Sequence, residues 1–421
     1  MIRLTRSQVQ PIGLDLGADC VKMLQLEVVE QQQQQSLSVI AAARQPMPDE
    51  ARGQQTPTEV RLAASMEIVR QLMRNTPFRG RQIVTCLPRE IVHVKNLRLP
   101  MMPPAEVESA VQFEARNIFP FDTDQALVRY LPAGEVRQGS DTRLEVIAVA
   151  VKEQDVNNFV EQLHACGCVI DSLDFEPGAL YRGVEKFIRR REDESEVHVL
   201  LDLGARRSQV VIGKGREISF YKPVEVGAVH LHDAVARKLE ITLEEARALR
   251  RRLIESASDQ QESRSTPDAV RQAVHDATRG TIEELAKEIS LCLRYYSVTF
   301  RGQRPARVRV VGGEATDPHV LGILSEALPI SVEAGQPLVS VNTAAMTQAD
   351  RRGCMGEWAV AFGLGLKMTQ GYFGARDGKR REPANAGHSR GPGAAGAEAS
   401  AVEVIDIAQH TSSTSQEGAH A

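Results

Sequence analysis

Apolar residues follow two alternating patterns along the chain, short runs typical of strands and longer stripes typical of helices. Residues Arg81–Pro88 (RQIVTCLP) and Arg143–Val151 (RLEVIAVAV) combine β-branched and apolar residues between turn signals, so each predicts a strand. The segment 103–120 begins with two prolines and ends at another, which predicts a helix between them. The apolar face of that helix is formed by Val107, Ala110, Val111, Ala115 and Ile118.

Two more helices are predicted further along the chain. The segment Val156–Gly167 (VNNFVEQLHACG) has helical periodicity and closes with Gly167 as its C-cap. A single long helix is predicted over residues 270–300, where an apolar stripe recurs at helical spacing. Strands and helices alternate throughout residues 12–367, which is typical of an α/β protein.

Three segments interrupt this alternation. Residues Glu30–Ser36 (EQQQQQS) predict the tip of a long hairpin, and residues 256–268 predict a linker between two helices. Residues 374–421 are rich in Gly, Ala, Pro and charge, and they show no periodicity. Such a segment buries too little apolar surface to offset the entropy of ordering it, so we expect this tail to be disordered.

Composition narrows the class of protein. The 421 residues are 42% hydrophobic and carry a net charge of −4, which supports a sizeable core and gives no basic footprint for nucleic acid. No apolar run approaches the roughly 18–20 residues that cross a bilayer, and the N-terminus lacks the apolar region of a secretory signal. The six cysteines show no CxxC spacing and no metal-binding cluster, which favours a reducing, cytoplasmic setting.

Two similar hairpins carry the candidate chemistry. IGLDLGADCVKMLQLE, beginning at Ile12, is echoed by LLDLGARRSQVVIG, beginning at Leu200, and each reads as strand, Asp-Leu-Gly turn, strand. Glycine in such a turn lets backbone N–H groups approach a phosphate. Asp15 and Asp202 are placed to converge on a magnesium ion through its water shell. The alternative for each hairpin alone is a turn aspartate that caps its own backbone.

A third element strengthens the hairpin pair. The sequence VVGGEA at Val310–Ala315 predicts a strand that ends in Gly-Gly before a helix, and such a turn can pack against a base or ribose. A lone Gly-Gly is common, but two Asp-Leu-Gly hairpins followed by strand, Gly-Gly and helix form a specific order. We therefore interpret the three elements as one nucleotide site.

This order resembles that of the actin, Hsp70 and sugar-kinase superfamily, and the detailed likeness is to the PilM family of type IV pilus assembly, also called competence protein A. The segments LRLPMMPPAEVESAVQFEARNIFPF, IDSLDFEPGALYRGV, VGAVHLHDAVARKLEITLEEARALR and EWAVAFGLGLK are similar to later segments of that family. The likeness covers about residues 11–367. It implies an actin-like, ribonuclease H-like α/β fold of two duplicated lobes.

The resemblance implies boundaries for the parts of this fold. They are an N-terminal arm at 1–10, lobe I (subdomain 1A) at 11–185 and an inserted subdomain 1C at about 91–166. Lobe II (subdomains 2A and 2B) follows at 186–345, and a C-terminal helix at 346–373 returns to lobe I before the tail at 374–421.

The resemblance also implies ATP with Mg²⁺ in the cleft between the lobes. The nucleotide-binding residues it gives are Asp15, Gly17, Ala18, Cys20, Lys22, Asp202, Gly204, Ala205, Ser208, Gly227, Arg250, Gly312, Gly313 and Glu314. Lys22 has two interpretations, a phosphate ligand or a strand lysine that extends to solvent. No residue stands out as a base for the attacking water, so at most a weak ATPase is expected.

The chain departs from the family pattern in its turns. The first turn is Ala18-Asp19-Cys20 where small hydroxyl residues are usual, and a carboxylate beside a triphosphate is repulsive unless it points to solvent or to a cation. The second turn supplies Arg206 and Arg207, which either offset phosphate charge or remain solvated. Arg247 stands where a glutamate often binds the ribose, and arginine accepts no hydrogen bonds.

The partner implied by the resemblance is the cytoplasmic N-terminal peptide of a PilN-like inner-membrane protein, bound between subdomains 1A and 1C. We place Phe113, Glu114 and Pro120 at that groove, because Phe113 projects away from the apolar face of its helix. Burial of Phe113 under a neighbouring strand is the equal alternative. The pilus motor ATPase is a second implied partner, and the membrane is reached only through partners.

Other functions remain open from the sequence. A cell-division protein of the FtsA type also carries subdomain 1C, but its membrane-binding C-terminal amphipathic helix has no counterpart in the Gly/Ala-rich tail. A small-molecule kinase of the same superfamily needs an acidic base facing a substrate pocket, whereas residues 91–166 predict a compact strand–helix–strand–helix insert suited to protein contact. A GspL-like secretion protein continues into a membrane span.

Overall fold

The structure, a computed structural model, describes residues 6–31, 34–53, 55–186, 188, 192–258, 267–300, 304–348, 350–351 and 353–369. The strands are β1 Arg6–Leu16, β2 Cys20–Gln31, β3 Gln34–Pro46, β4 Gln82–Cys86, β5 His93–Pro100, β6 Ala126–Gln138, β7 Asp141–Lys152, β8 Val169–Asp174, β9 Val197–Leu203, β10 Ser208–Lys214, β11 Glu217–Val224, β12 Arg307–Gly312, β13 Ser331–Ala334 and β14 Val341–Asn342.

The helices lie mostly between these strands. They are α1 Asp49–Arg52, α2 Thr58–Asn75, α3 Pro104–Ile118, α4 Glu153–Ala165, α5 Glu176–Glu185, α6 Ala228–Leu239, α7 Leu243–Ser258, α8 Asp268–Phe300, α9 Pro318–Ala327 and α10 Ala359–Gly365. No described helix is long and apolar enough to cross a membrane.

Two sheets share one internal plan. The N-terminal sheet has the order β14-β3-β2-β1-β4-β8, and the C-terminal sheet has the order β11-β10-β9-β12-β13. In the first, β1 runs antiparallel to β2 and parallel to β4; in the second, β9 runs antiparallel to β10 and parallel to β12. Strand, hairpin and parallel neighbour therefore recur in the same arrangement, as the repeated Asp-Leu-Gly hairpins predict.

The hairpin strands are longer than the sequence suggested. Strand β1 begins at Arg6, so residues 6–10 of the predicted N-terminal arm belong to a strand, and residues 6–9 are paired with β2. Only residues 32–33 of the glutamine-rich tip lie outside the described residues, and the strands on either side are paired up to them. The predicted disordered tail at 374–421 also lies outside the described residues.

A third sheet lies in the segment between β4 and β8. Its order is β5-β7-β6, and α3 covers one face, where Val107, Val111 and Ala115 pack against β7 residues such as Val146. The sequence analysis predicted only two strands in this insert and missed β6, because Pro132 and Gly134 interrupt its pattern at a bulge.

Helices α8 and α9 cover the C-terminal sheet, and α10 packs closely on β1 and α5. The predicted long helix is confirmed over Asp268–Phe300, and the helix predicted at 103–120 over Pro104–Ile118. The contact between α10 and β1 is close because Gly13 has no side chain: a Cβ there would lie 2.1 Å from the Ala361 carbonyl oxygen. The two Asp-Leu-Gly turns follow the carboxyl ends of β1 and β9, which are interior strands of the two large sheets.

Candidate functional site

The first hairpin turn presents a buried ion pair. Asp15 is the penultimate residue of β1, and Lys22 is its register partner on β2, so the Lys22 ammonium donates to Asp15 Oδ2 at 3.1 Å. Burial raises the pKa of Asp15, and Lys22 offsets that shift only in part. Gly17 permits the turn, because a Cβ there would lie 2.7 Å from the Cys20 carbonyl oxygen. Lys22 is therefore a counter-ion of Asp15 in this structure.

The second hairpin repeats the arrangement with different chemistry. Asp202 is the penultimate residue of β9, and its register partner Gln209 donates to Asp202 Oδ2 at 2.9 Å. Gly204 is required by the turn, where a Cβ would lie 2.5 Å from the Arg207 carbonyl oxygen. Ser208, which the resemblance places near the phosphates, donates to the Val226 carbonyl at 2.5 Å and is buried. Gln209 and Lys22 are thus equivalent positions, both seven residues after the aspartate.

Helix α6 begins against this second turn. Its N-cap is Gly227, whose missing Cβ leaves room for the Arg206 backbone, 2.5 Å from an ideal Cβ position. The amides of Ala228 and Val229 donate to the carbonyls of Gly204 and Ala205, at 3.0 and 2.8 Å. The predicted residues Gly204, Ala205 and Gly227 therefore form one packed corner, held by the first amides of α6.

Arg89 lies between the two hairpins. It follows β4, donates from Nε to Glu176 Oε2 at 2.5 Å and from Nη2 to the other Glu176 oxygen, and reaches Asp202 Oδ2 from Nη2 at 3.2 Å. Burial raises the pKa of Asp202, Arg89 lowers it, and the negative charges of Glu176 and Asp15 raise it. The two predicted aspartates therefore face one shared space, and Arg89, which the sequence analysis missed, is a second cation there beside Lys22.

This arrangement limits how a metal fits. The carboxylates of Asp15 and Asp202 are already compensated by Lys22 and Arg89. Among the residues that the structure describes, no group of three or more His, Cys, Asp or Glu side chains is placed to hold a metal ion. A hydrated Mg²⁺ ion beside Asp202 therefore fits only where Arg89 yields its contact.

The Gly-Gly element meets the second hairpin directly. Gly312 has a φ of +95°, and a Cβ there would lie 2.4 Å from the Leu203 carbonyl oxygen, whereas a Cβ on Gly313 would meet nothing within 4 Å. Glu314 is buried and accepts from Arg250 Nη2 at 2.6 Å. Burial by itself would raise the pKa of Glu314, but the charge of Arg250 outweighs it and the pKa is lowered. Gly313 thus borders open space, while Glu314 and Arg250 satisfy each other.

Asp19 joins the first turn to the opposite lobe. Its carboxylate contacts the Arg247 guanidinium on α7 and lies 3.5 Å from Arg52 Nε on α1. The carboxylate that would repel a triphosphate is therefore directed at two cations. Ala18 and Cys20 lie beside it in the same turn, where Cys20 is half-buried at the start of β2.

An apolar groove opens on the other side of Arg89. Its empty space, open solvent included, is about 550 Å³, and it lies between the three-stranded sheet, the β8–α5 junction and Tyr221 of β11. Its charged lining residues are Arg89, Arg129, Asp174 and Glu176. Its apolar lining includes Val92, Val94, Leu127, Val149, Val151 and Tyr221.

The residues predicted for the partner groove lie elsewhere. Phe113 is 65% exposed on α3, Pro120 is exposed, and Glu114 is half-buried; none of the three lines the apolar groove. The sequence signal for the groove was β7, in which residues 145–151 are buried on both faces. Because α3 covers only one face of β7, the other face, with Val149 and Val151, must meet a second surface.

Comparison with known proteins places the chain in a family. The family model described as type IV pilus assembly protein PilM matches residues 13–369. The chain belongs to this family. Its membership confirms the resemblance seen in the sequence, and neither the cell-division protein nor the small-molecule kinase is favoured. Comparison with curated proteins gave no match.

Solved structures share the fold. The chain is similar to the PilM–PilN type IV pilus biogenesis complex, with 22% identity, a TM-score of 0.67, and coverage of 85% of this chain and 98% of that one. Similarity to ethanolamine utilization protein EutJ from Carboxydothermus hydrogenoformans is weaker, at 15% identity and a TM-score of 0.46, covering 85% and 89% of the two chains. Similarity to MreB 5 of Spiroplasma citri bound to AMPPNP is also weak, at 9% identity and a TM-score of 0.41, covering 86% of this chain and 96% of that one. The actin-like fold class predicted from the sequence is confirmed.

Proposed function

We propose that this chain is a nucleotide-binding scaffold of type IV pilus assembly that docks the cytoplasmic N-terminal peptide of a PilN-like inner-membrane protein in the apolar groove. The observation that carries the proposal is the groove itself, an apolar space between the three-stranded sheet, the β8–α5 junction and β11, with Arg129 on its wall. The similar PilM–PilN complex supports a peptide of that protein as the occupant.

Arg129 gives the groove its polarity. Among the described residues no carboxylate lies within ion-pair distance of its guanidinium, which donates from Nη1 to the Val128 carbonyl at 2.9 Å. A half-buried cation beside apolar side chains is stabilised by an acceptor that arrives with a ligand. An extended peptide offers such acceptors in its backbone carbonyls, together with apolar side chains for the groove.

The proposed nucleotide is ATP with Mg²⁺. Its phosphates would contact the turns that begin at Gly17 and Gly204, and its base or ribose would approach the open side of Gly313. When bound, Mg²⁺ supplies positive charge that neutralises the phosphates. Asp15 and Asp202 would hold the hydrated ion. Arg250 and Glu314 shape this end of the site through their mutual ion pair.

The proposed place of the chain is the cytoplasmic side of the inner membrane, held there by its partner, with the pilus motor ATPase as a further partner. We assign residues 11–185 to lobe I, with subdomain 1C at about 91–166, and residues 186–345 to lobe II. The C-terminal segment 346–373 is assigned back to lobe I, which α10 supports through its packing on β1.

A peptide titration tests the groove. The probe is a synthetic, fluorescently labelled peptide with the N-terminal sequence of a PilN-like protein from the same organism, and the readout is fluorescence anisotropy. Val94→Asp places a charge on the apolar lining and is expected to weaken binding by at least about tenfold, because an ionised carboxylate is poorly tolerated in an apolar site.

Val298→Asp is the matched control. Val298 is 69% exposed on α8 and does not line the groove, so this variant should bind the peptide like the parent chain. Equal binding by both variants would place the peptide outside the groove, and absence of binding to the parent chain would remove the proposed partner.

A further inference from the structure

One side chain belongs to both sites described above. Arg89 contacts Asp202, which faces the space between the hairpins, and it also lines the apolar groove together with its partner Glu176. The guanidinium holds Glu176 through two nitrogens and reaches Asp202 through only one N–H, at 3.2 Å. The contact with Asp202 is therefore the weaker of the two and the first to be given up.

A hydrated Mg²⁺ at Asp202 and the Arg89 contact are alternative counter-charges. Asp202 is buried, and its Oδ2 already accepts from Gln209 as well as from Arg89. Two cations that compete for one buried carboxylate oxygen repel each other strongly at short range. Glu176 accepts from Arg89 and also from Gln209 Nε2, the latter at 3.0 Å. It therefore keeps Arg89 near the groove wall after the Arg89–Asp202 contact is lost.

Resting on the function proposed above, we propose that Arg89 couples the nucleotide cleft to the peptide groove. Mg²⁺-nucleotide takes over Asp202 and releases one Arg89 N–H. That donor then lacks a protein acceptor and is satisfied by a backbone carbonyl of the peptide in the groove. The Arg89 side chain is partly buried, so a donor left without an acceptor there is costly. Nucleotide therefore raises peptide affinity, and peptide raises nucleotide affinity by the same factor.

The test measures peptide affinity for the full chain with and without Mg²⁺-AMPPNP, a nucleotide analogue that is not hydrolysed. The parent chain is expected to bind the labelled peptide about tenfold more tightly when the analogue is saturating. The reciprocal titration, analogue affinity with and without saturating peptide, is expected to give the same ratio.

Two arginine variants separate coupling from binding. Arg89→Lys keeps a positive charge near Glu176 but loses the forked geometry that spans two carboxylates, so both ligands should still bind while the affinity ratio falls below about twofold. Arg129 lines the same groove without touching Asp202. Arg129→Met should therefore weaken peptide binding equally with and without the analogue, which leaves the tenfold ratio unchanged.

The parent chain alone is decisive if a variant does not fold. A peptide that binds with a ratio within twofold overturns the coupling and leaves the proposed scaffold function standing. A peptide that binds in neither state overturns both. A tenfold ratio that persists in folded Arg89→Lys shows that another residue carries the coupling and overturns the role assigned to Arg89.

Discussion

Buried charged residues in this chain are neutralised by partners on other elements. Asp15 pairs with Lys22 across a hairpin, and Arg250 on α7 is held by Glu314 and Asp317 beyond the Gly-Gly turn. His232 on α6 accepts from Arg250 through Nδ1, at 3.1 Å, so its ring is neutral in this contact. Protonation of His232 would place two donors against each other inside the network.

We therefore expect His232 to make the protein less stable in mild acid. Burial, followed by the charge of Arg250, lowers the pKa of His232 to about 4, against about 6.5 in an unfolded chain. Between these values the unfolded state binds more protons, so stability falls as the pH drops from 6.5 towards 4. The loss reaches about 3 kcal/mol at most.

Urea denaturation of the parent chain and of His232→Gln across pH 4.5–7.5, a range set by these two values, checks this expectation. Glutamine still offers an oxygen to Arg250 but does not titrate, so the variant should lose less stability over the range. Parallel stability curves for the two proteins would contradict the assignment to His232.

At the scale of elements, close backbone contacts set where helices sit. Helix α10 approaches α5 because Gly363 has no side chain: an ideal Cβ there would lie 1.7 Å from the Ala179 carbonyl oxygen. The Gly363 carbonyl accepts from Arg182 Nη1 at 2.8 Å, and Nη2 of the same guanidinium pairs with Asp174. This packing places the β8–α5 junction, and with it Glu176, beside both candidate sites.

Gly363→Ala is expected to destabilise the protein by about 3 kcal/mol or more, because the added methyl group forces α10 away from α5. Gly183 lies on α5 itself and would place a Cβ where no atom lies within 4 Å, which makes Gly183→Ala the matched control. That control should be neutral or stabilising by up to about 1 kcal/mol, since alanine favours helix over glycine. Thermal unfolding of both variants decides the matter; equal midpoints would refute the contact.

At the scale of the whole molecule, an ion pair joins the first hairpin turn to the opposite lobe. Asp19 lies on the turn between β1 and β2, and Arg247 lies on α7, far along the chain. The pair compensates the carboxylate that the sequence analysis found unusual beside a phosphate turn. This ion pair also links the two lobes beside the candidate nucleotide cleft.

Arg247→Ala should loosen this link without unfolding either lobe. Both side chains are partly exposed, so the cost to global stability is expected to be about 1 kcal/mol or less. Hydrogen exchange followed by mass spectrometry should show faster exchange in residues 17–20 and in α7. Arg237→Ala, which removes an exposed pair within α6, should leave both regions unchanged, and protection unaltered by Arg247→Ala would show that the lobes are held elsewhere.

Local pattern was sufficient for the fold class and the two hairpins. The Asp-Leu-Gly repeats lie at equivalent positions in two sheets of the same plan, because each hairpin and its turn are encoded by residues a few positions apart. The long helix and the helix after Pro103 were likewise set by periodicity and proline. Strand β6 was missed because its bulge breaks the local alternation.

Only the tertiary structure decided which charges meet. Arg89 and Glu176 are separated by 87 positions, and Arg89 and Asp202 by 113, so no spacing in the sequence marks them as neighbours. The groove, too, is assembled from β5, β6, β7, the β8–α5 junction and β11, and the exposed Phe113 does not line it. The sequence determined the elements and their turns through short-range periodicity and sterics. The counter-ions and the groove depended on how those elements pack, because charge compensation and concave surfaces arise between segments distant along the chain.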